Sequence, residues 1–336
     1  MTTSAGLIHP VNLGPLGLAN NLVLAPMHKR THMAFRLICR RAGAALAHTE
    51  MATPEDLLGL GGPRKGGNIL ATCPEEQPLG VQLLPKDEGP MLEALALLRE
   101  KRVGDLVDLN FACPSKRVAG GGRGAAFLKK PEAAVRLIEA AVRAVAPVPV
   151  TIKIRRGWTD SPQDLDRAMD LARGAVAAGI AGLTLHGRTA AQLYHDTADW
   201  GAIGRWVEAL APLPVFGSGD LRSPEAVLDM LRQTGAAGAH LARGVTGAPW
   251  VFRQVMELAA TGTYAEVTMA ERARDFWEHY EGLVAQYGTR IGLRYICQVG
   301  RMYTRGIPLA AEARVAIQNA GGPEDLRMIC KTYFSD

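Results

Sequence analysis

Short apolar runs alternate with longer amphipathic stretches through most of the chain. The runs Leu22–Pro26, Ala45–His48, Leu79–Leu84, Leu106–Asn110, Val150–Ile154, Gly182–His186, Pro214–Gly217 and Ala239–Ala242 have the length and apolar character of buried strands. Between them, Glu88–Lys101, Pro131–Val145, Gln163–Ala178, Pro224–Thr234 and Ala248–Ala260 carry the three-to-four-residue period of helices. Pro131 and Pro224 stand in first turns, where a helix tolerates proline. Strand and helix alternating in this way imply βαβ units around a parallel sheet, and eight units in about 240 residues predict an α/β (β/α)8 TIM barrel. A doubly wound open sheet would alternate similarly, but no Gly-x-Gly-x-x-Gly follows the first strand.

The strand signal stops near Gly262. Met269–Gln286, Thr289–Arg305 and Glu312–Ala320 read as helices, so residues 1–262 are expected to form the catalytic barrel and 263–336 a small C-terminal all-helical domain. Arg290, Arg294, Arg301 and Arg305 fall at offsets 0, 4, 11 and 15 along the second of these helices. At about 100° per residue they would share a stripe about 60° wide, suited to gripping a phosphate backbone. A solvated helix face is the competing reading.

A hydrophobic fraction of 48% and a charged fraction of 21% are those of an ordinary globular chain. No apolar run approaches about eighteen residues, so no membrane span is expected. The opening Met1–Pro10 has no basic stretch before an apolar core, so no signal peptide is expected. Five scattered cysteines without a Cys-x-x-Cys argue against a zinc ribbon, an iron–sulfur cluster or a disulfide framework, and point to a reducing cytoplasm. The net charge of +5 is modest, but ten Lys/Arg face only two Glu from Pro114 to Arg156. That concentration suggests a polyanionic partner such as nucleic acid.

Active sites of parallel α/β proteins sit at the carboxyl ends of strands. Seven of the eight strand ends carry candidate chemistry: Pro26 and Met27 after the first, Gln82 on the third, Asn110 and Cys113 after the fourth. Lys153 and Arg155 end the fifth, His186 and Arg188 the sixth, Gly217-Ser218-Gly219-Asp220 the seventh, and Ala242-Arg243-Gly244 the eighth. Glycine turns after strands seven and eight are where barrels commonly hold a phosphate on backbone N–H groups. No carboxylate cluster or His-x-x-x-His spacing supports a metal. Phosphate there, with lysine and histidine beside it, fits a flavin mononucleotide across the mouth, with Lys153 near the flavin edge that gains negative charge.

These residues resemble the dihydrouridine synthase family, FMN-dependent enzymes that reduce uridine in transfer RNA. The most specific stretch is Asp108-Leu-Asn-Phe-Ala-Cys-Pro-Ser-Lys116. It is supported by Val150-Thr-Ile-Lys-Ile-Arg155, by Leu183–Tyr194 with Ala198-Asp-Trp200, and by Ala242–Phe252. The resemblance runs from Ala25 to about Tyr303. It implies that Cys113 is the catalytic acid and that Pro26, Met27, Gln82, Lys153, His186, Gly219, Ala242 and Arg243 surround FMN. Ser218 and Asp220, in the strand-seven turn, join that cofactor set. Asn110 would lie by the flavin and the target base, Arg188 would face RNA, and the helical tail would grip RNA outside the pocket.

The chemistry agrees with this. Reducing the C5–C6 bond of uracil needs a hydride at one carbon and a proton at the other. A thiol of ordinary pKa, about 8.5, is protonated at neutral pH and able to serve as the acid. Lys116 and Arg117 would favour thiolate if they pointed at Cys113, so they are expected to face RNA phosphate. The target base must be extruded to reach the flavin. NADPH or NADH is the expected reductant, tRNA the expected partner, and a monomer without protein partners the expected state. The chain departs from the family pattern at His28-Lys-Arg-Thr-His32, Ala112, Ser218 and Gly247-Ala-Pro-Trp250. A barrel flavoprotein acting on a small free molecule, a synthase acting on another RNA such as rRNA, and an RNA-binding protein without catalysis are the alternatives.

Overall fold

The computed structural model describes residues 6–59 and 70–335, so the first five residues of the opening read for a signal lie outside it. Eight parallel strands close into a barrel in which each pairs with its sequence neighbours and the last returns to the first. They are β1 (Leu22–Leu24), β2 (Leu46–His48), β3 (Leu79–Leu83), β4 (Leu106–Phe111), β5 (Val150–Arg155), β6 (Gly182–His186), β7 (Val215–Ser218) and β8 (Gly238–Leu241). All eight sequence-predicted strands are present, with ends moved by a residue or two.

The outer helices are α1 (Met33–Arg41), α2 (Glu88–Lys101), α3 (Pro131–Val145), α4 (Pro162–Ala177), α5 (Trp200–Leu210), α6 (Pro224–Thr234) and α7 (Val251–Thr261). Their starts follow from local chemistry: Ser161 and Ser223 accept the N–H of Asp164 and Ala226, and proline takes the next position. α3 shows the packing logic, burying Ala134, Leu137, Ile138, Ala141 and Val145 at helical spacing. Sequence reading passed over α1 and α5, both shorter than α2 to α4.

The floor of the barrel is plugged by an unpredicted hairpin, Val11–Leu13 against Leu16–Leu18, turning at Gly14 with φ 58°. Leu13 and Leu18 join Val23, Leu46, Leu106 and Phe216 in a separate apolar cluster. A Cβ on Gly182 would lie 2.6 Å from Leu13 Cδ2, so glycine lets the hairpin close the bottom.

The tail contains α8 (Met269–Tyr287), α9 (Thr289–Val299), α10 (Ala310–Asn319) and α11 (Pro323–Tyr333), the last not predicted. It packs on α1 and on the segment after β8, and one apolar core runs through barrel and tail. Gly247, at φ 68°, marks the closest approach, since a Cβ there would meet Met302 C at 2.5 Å. Trp250 lies edge-on to Tyr303 with centroids 6.2 Å apart, and Arg272 Nη1 donates to Tyr303 O at 2.6 Å. The Gly247–Trp250 motif therefore seats the tail. Among the described residues no helix is long and apolar enough to cross a membrane.

The expected helix Thr289–Arg305 is interrupted. α9 ends at Val299 and a 3-10 turn, Gly300–Thr304, follows. Gly300 lies against Phe276, where a Cβ would come within 2.6 Å of the ring. That change of pitch takes Arg305 off the predicted stripe.

Candidate active site

Parallel register explains why polar side chains meet at the mouth. Asn110 pairs with Lys153 and Lys153 with Thr184, while Arg155 pairs with His186 and His186 with Ser218. Neighbours in register point the same way, so alternate residues of β4, β5 and β6 face the barrel interior as rings. Above these rings lies a cavity of about 470 Å³ lined by Pro26, Met27, Asn110, Cys113, Lys153, His186, Ser218, Ala242 and Arg243. Nine of the residues singled out in the sequence thus share one cavity.

Cys113 reaches that cavity through a turn built by its neighbours. Asn110 Oδ1 accepts the N–H of Ala112 at 3.0 Å and of Cys113 at 2.9 Å, and Pro114 holds Cys113 out of helical geometry. Ser115 caps the short helix Lys116–Gly120, and the Cys113 thiol lies 3.6 Å from Ser115 Oγ. Lys116 and Arg117 are exposed on that helix at the rim. Lys153 and Arg155 line the cavity with Cys113, and both count it among the groups that act on them.

Burial dominates the electrostatics. It lowers Lys153 from 10.5 to about 8, helped by Arg155 and opposed by Asp108 and Cys113. It takes Arg155 down to about 10, although Arg155 donates to the carbonyls of Ala112, Thr189 and Leu193. It holds His186 well below its ordinary range, with Lys153 and Arg155 adding to the effect, so the ring is neutral. His186 Nδ1 accepts Arg188 N–H at 3.2 Å, which leaves Nε2 as the protonated nitrogen. Arg30 is held low by burial and then by Arg243 and Arg301. The mouth carries more cations than its carboxylates balance.

A side pocket of about 40 Å³ opens off the cavity between the β7 and β8 ends, lined by Ser218, Gly219, Asp220, Arg243 and Gly244 among others. A Cβ on Gly244 would meet Leu221 O at 2.1 Å, and Gly219 has φ 120° with Ala198 Cβ 2.6 Å from where its own would be. Glycine alone lets these two loops close on each other and leave backbone around the pocket. With the surrounding cations, this donor set fits a flavin phosphate.

Three predicted residues stand elsewhere: Arg188, Gln82 and Arg305. Arg188, expected to face RNA, is 1% exposed and turned inward. It donates to Asp220 at 2.7 Å and to the carbonyls of His195 and Asp196, tying the loop after β6 to the β7 turn. The carboxylate and two carbonyls offset part of the cost of burying this cation, although its Nη1 has no partner among the described residues. Against the upward push of burial, the Ala198 N–H and Arg188 keep the Asp220 carboxyl below its ordinary range. Gln82 is fully buried beneath the cavity, its amide oxygen accepting from Asn110 and its nitrogen donating to Asp108. Arg290, Arg294 and Arg301 line a groove of about 530 Å³ on the tail. Arg305 leaves them and donates to Gly244 O at 3.1 Å.

Sequence reading gave no role to Arg30, Arg155 or Tyr194, all of which line the cavity. Tyr194 is 55% exposed, with Arg243 Cζ 4.3 Å and Arg155 Cζ 5.6 Å from its ring centre. The available signal was an exposed aromatic in the loop after a strand already marked by His186.

Comparisons with known proteins agree with this geometry. The model of the dihydrouridine synthase (Dus) family matches residues 23–334. The chain is 34% identical over 325 residues to tRNA-dihydrouridine synthase B of Xanthomonas campestris pv. campestris, covering 96% of each chain. It is 35% identical over 306 residues to tRNA-dihydrouridine synthase B of Pseudomonas aeruginosa, covering 90% of each. Among solved structures, histamine dehydrogenase from Rhizobium sp. 4-9 superposes with a TM-score of 0.56 at 14% identity. That match covers 82% of this chain and 51% of the dehydrogenase, about half its length, and shows the shared fold. A barrel whose strand ends carry Asn110, Cys113, Lys153 and His186 around one cavity, matched over nearly its whole length, belongs to the dihydrouridine synthase family.

Proposed function

We propose that this protein reduces uridine to 5,6-dihydrouridine in tRNA, with FMN as its flavin and NADPH or NADH as reductant. The observation that carries the reading is one cavity holding a thiol, a buried lysine and a neutral histidine, opening into a glycine-walled pocket. Reduced flavin, when bound, supplies the hydride for C6 of the base. Ser218, Gly219, Ala242 and Arg243 would hold its phosphate, with Pro26, Met27, Lys153 and His186 about the ring. Cys113 gives the proton to C5 from the opposite face, and Asn110 holds the turn that presents the thiol. Lys153 keeps its proton at Nζ through neutral pH and balances charge at the cofactor edge. The Nε2–H of His186 donates without adding charge.

The base reaches this cavity only when extruded, and the surrounding arginines support a polyanionic substrate. Arg30 lines the cavity with Arg243, and the charges of Arg243 and of Arg301 in the tail groove both act on it, which supports a cationic surface reaching from the mouth toward the tail. Residues 1–262 would then carry catalysis and 263–336 the grip on RNA. The same reading makes the protein a cytoplasmic monomer, consistent with five free cysteines.

The test is mass-spectrometric mapping of dihydrouridine in tRNA treated with the wild-type protein and with Cys113→Ala. Loss of the general acid should lower turnover by about 100-fold or more while FMN stays bound. Full dihydrouridine formation by Cys113→Ala would refute the role. Reduction of free uridine as fast as of tRNA would favour a small-molecule enzyme.

A further inference from the structure

Beneath the cavity lies a chain of buried side-chain hydrogen bonds. Thr151 Oγ1 donates to Asp108 Oδ1 at 2.8 Å, and Gln82 Nε2 donates to Asp108 Oδ2 at 2.6 Å. Asn110 Nδ2 donates to Gln82 Oε1 at 2.8 Å, and Asn110 Oδ1 then accepts both N–H groups of the Cys113 turn. Register sets up the first part, because Gln82 pairs with Asp108 and Asp108 with Thr151. Gln82, Asp108 and Asn110 are 0%, 1% and 5% exposed, so water does not compete for these bonds.

The polarity of the chain is determined from both ends. A carboxylate only accepts, so Gln82 must offer it the amide nitrogen and turn its oxygen toward Asn110. That oxygen in turn draws Asn110 Nδ2, leaving Asn110 Oδ1 for the backbone. The N–H groups of Ala112 and Cys113 require the same orientation from the other side. Every amide is held in one of its two flips by partners on both of its sides in low dielectric.

We propose that Asp108 and Gln82 are positioning residues for the proton donor: held to each other beneath the cavity, they fix the Asn110 amide and through it the turn carrying the Cys113 thiol. The proposal rests on the role of Cys113 given above. Neither side chain needs to touch the base, and Asp108 acts across two intervening amides.

Two substitutions break the chain and one preserves it. Asp108→Leu removes the acceptor at similar volume and strands Gln82 Nε2. Gln82→Met cuts the middle link while leaving Asp108 in place. Asp108→Asn keeps it intact, because the new amide accepts from Gln82 through oxygen and donates to Thr151 Oγ1 through nitrogen.

The experiment measures iodoacetamide modification of each cysteine in the full-length protein saturated with FMN, by peptide mass spectrometry, alongside kcat and KM on tRNA. Asp108→Leu and Gln82→Met should change the Cys113 rate by about fivefold, with Cys73 and Cys297 unchanged. They should lower kcat by about tenfold or more at nearly constant KM. Asp108→Asn should restore the Cys113 rate. If Asp108→Leu does not fold, Gln82→Met decides. An unaltered Cys113 rate in folded Gln82→Met, or a parallel change at Cys73 and Cys297, would overturn the proposal. Modification needs no RNA, so wild-type protein that forms no dihydrouridine would sink the functional reading separately.

Discussion

Lys153 gives the most direct quantitative test. It is 8% exposed in the interior ring of β5, and burial takes it from 10.5 to about 8. That drop corresponds to about 3 kcal/mol, at about 1.4 kcal/mol per pH unit. The unfolded chain keeps this proton up to 10.5 and the folded protein releases it near 8. Between those values the unfolded state binds more protons, so the Lys153 contribution makes stability rise with pH, and below 8 the folded protein bears the full cost. An anion placed beside the ammonium relieves that cost and raises its proton affinity.

Binding of reduced FMN, whose ring edge is anionic, should therefore need the protonated lysine. With a midpoint near 8, Lys153 is largely charged at pH 7 and largely neutral at pH 9. Affinity should fall by about tenfold between these two pH values. Anaerobic titration of the apoprotein with reduced FMN, followed by flavin absorbance, reads this directly. Lys153→Arg should keep tight binding and lose the pH dependence, since guanidinium stays charged. Lys153→Met should bind weakly at both pH values. Equal wild-type affinity at pH 7 and pH 9, or the same fall persisting in Lys153→Met, would refute the reasoning.

Two further outcomes test the frame around the site. Asp220→Ala leaves the buried Arg188 guanidinium without its carboxylate and should destabilise the protein by about 3 kcal/mol, measured by denaturant unfolding. An unchanged midpoint would contradict the structural role of this pair. Replacing Arg290, Arg294 and Arg301 together with Gln should weaken tRNA binding and reduce its salt dependence by about 0.9 in slope for each phosphate no longer neutralised. FMN affinity should not move; a salt slope identical to wild type would remove the tail groove from the RNA interface.

The barrel was readable because its repeat is local. Most βα units announce themselves through a short buried run and an amphipathic helix, and the starts of α3, α4 and α6 through serine or proline. The N-terminal hairpin escaped because its six paired residues have no period long enough to register, and Leu13 and Leu18 matter only once a barrel floor exists to cover. The helix Thr289–Arg305 was overextended because the cause of its break, Gly300 against Phe276, is an approach between segments far apart in sequence.

For the site, the chain itself determined which residue types stand at the strand ends, since Asn110, Cys113, Lys153 and His186 follow their apolar runs at fixed local positions. It also carried the alternation of Asp108-Leu-Asn-Phe111 and Thr151-Ile-Lys-Ile-Arg155, which alone reads equally well as strands with one face in water. Only closure of the sheet turned that polar face inward and placed Gln82, Asp108 and Thr151 side by side. Closure likewise sent Arg188 inward to Asp220 while Arg243 stayed exposed at the rim, a choice two similar strand-end arginines do not reveal in sequence. The reason is physical: residue type and period are properties of neighbours along the chain, whereas burial, pairing and charge balance depend on which distant strands are brought within hydrogen-bonding distance.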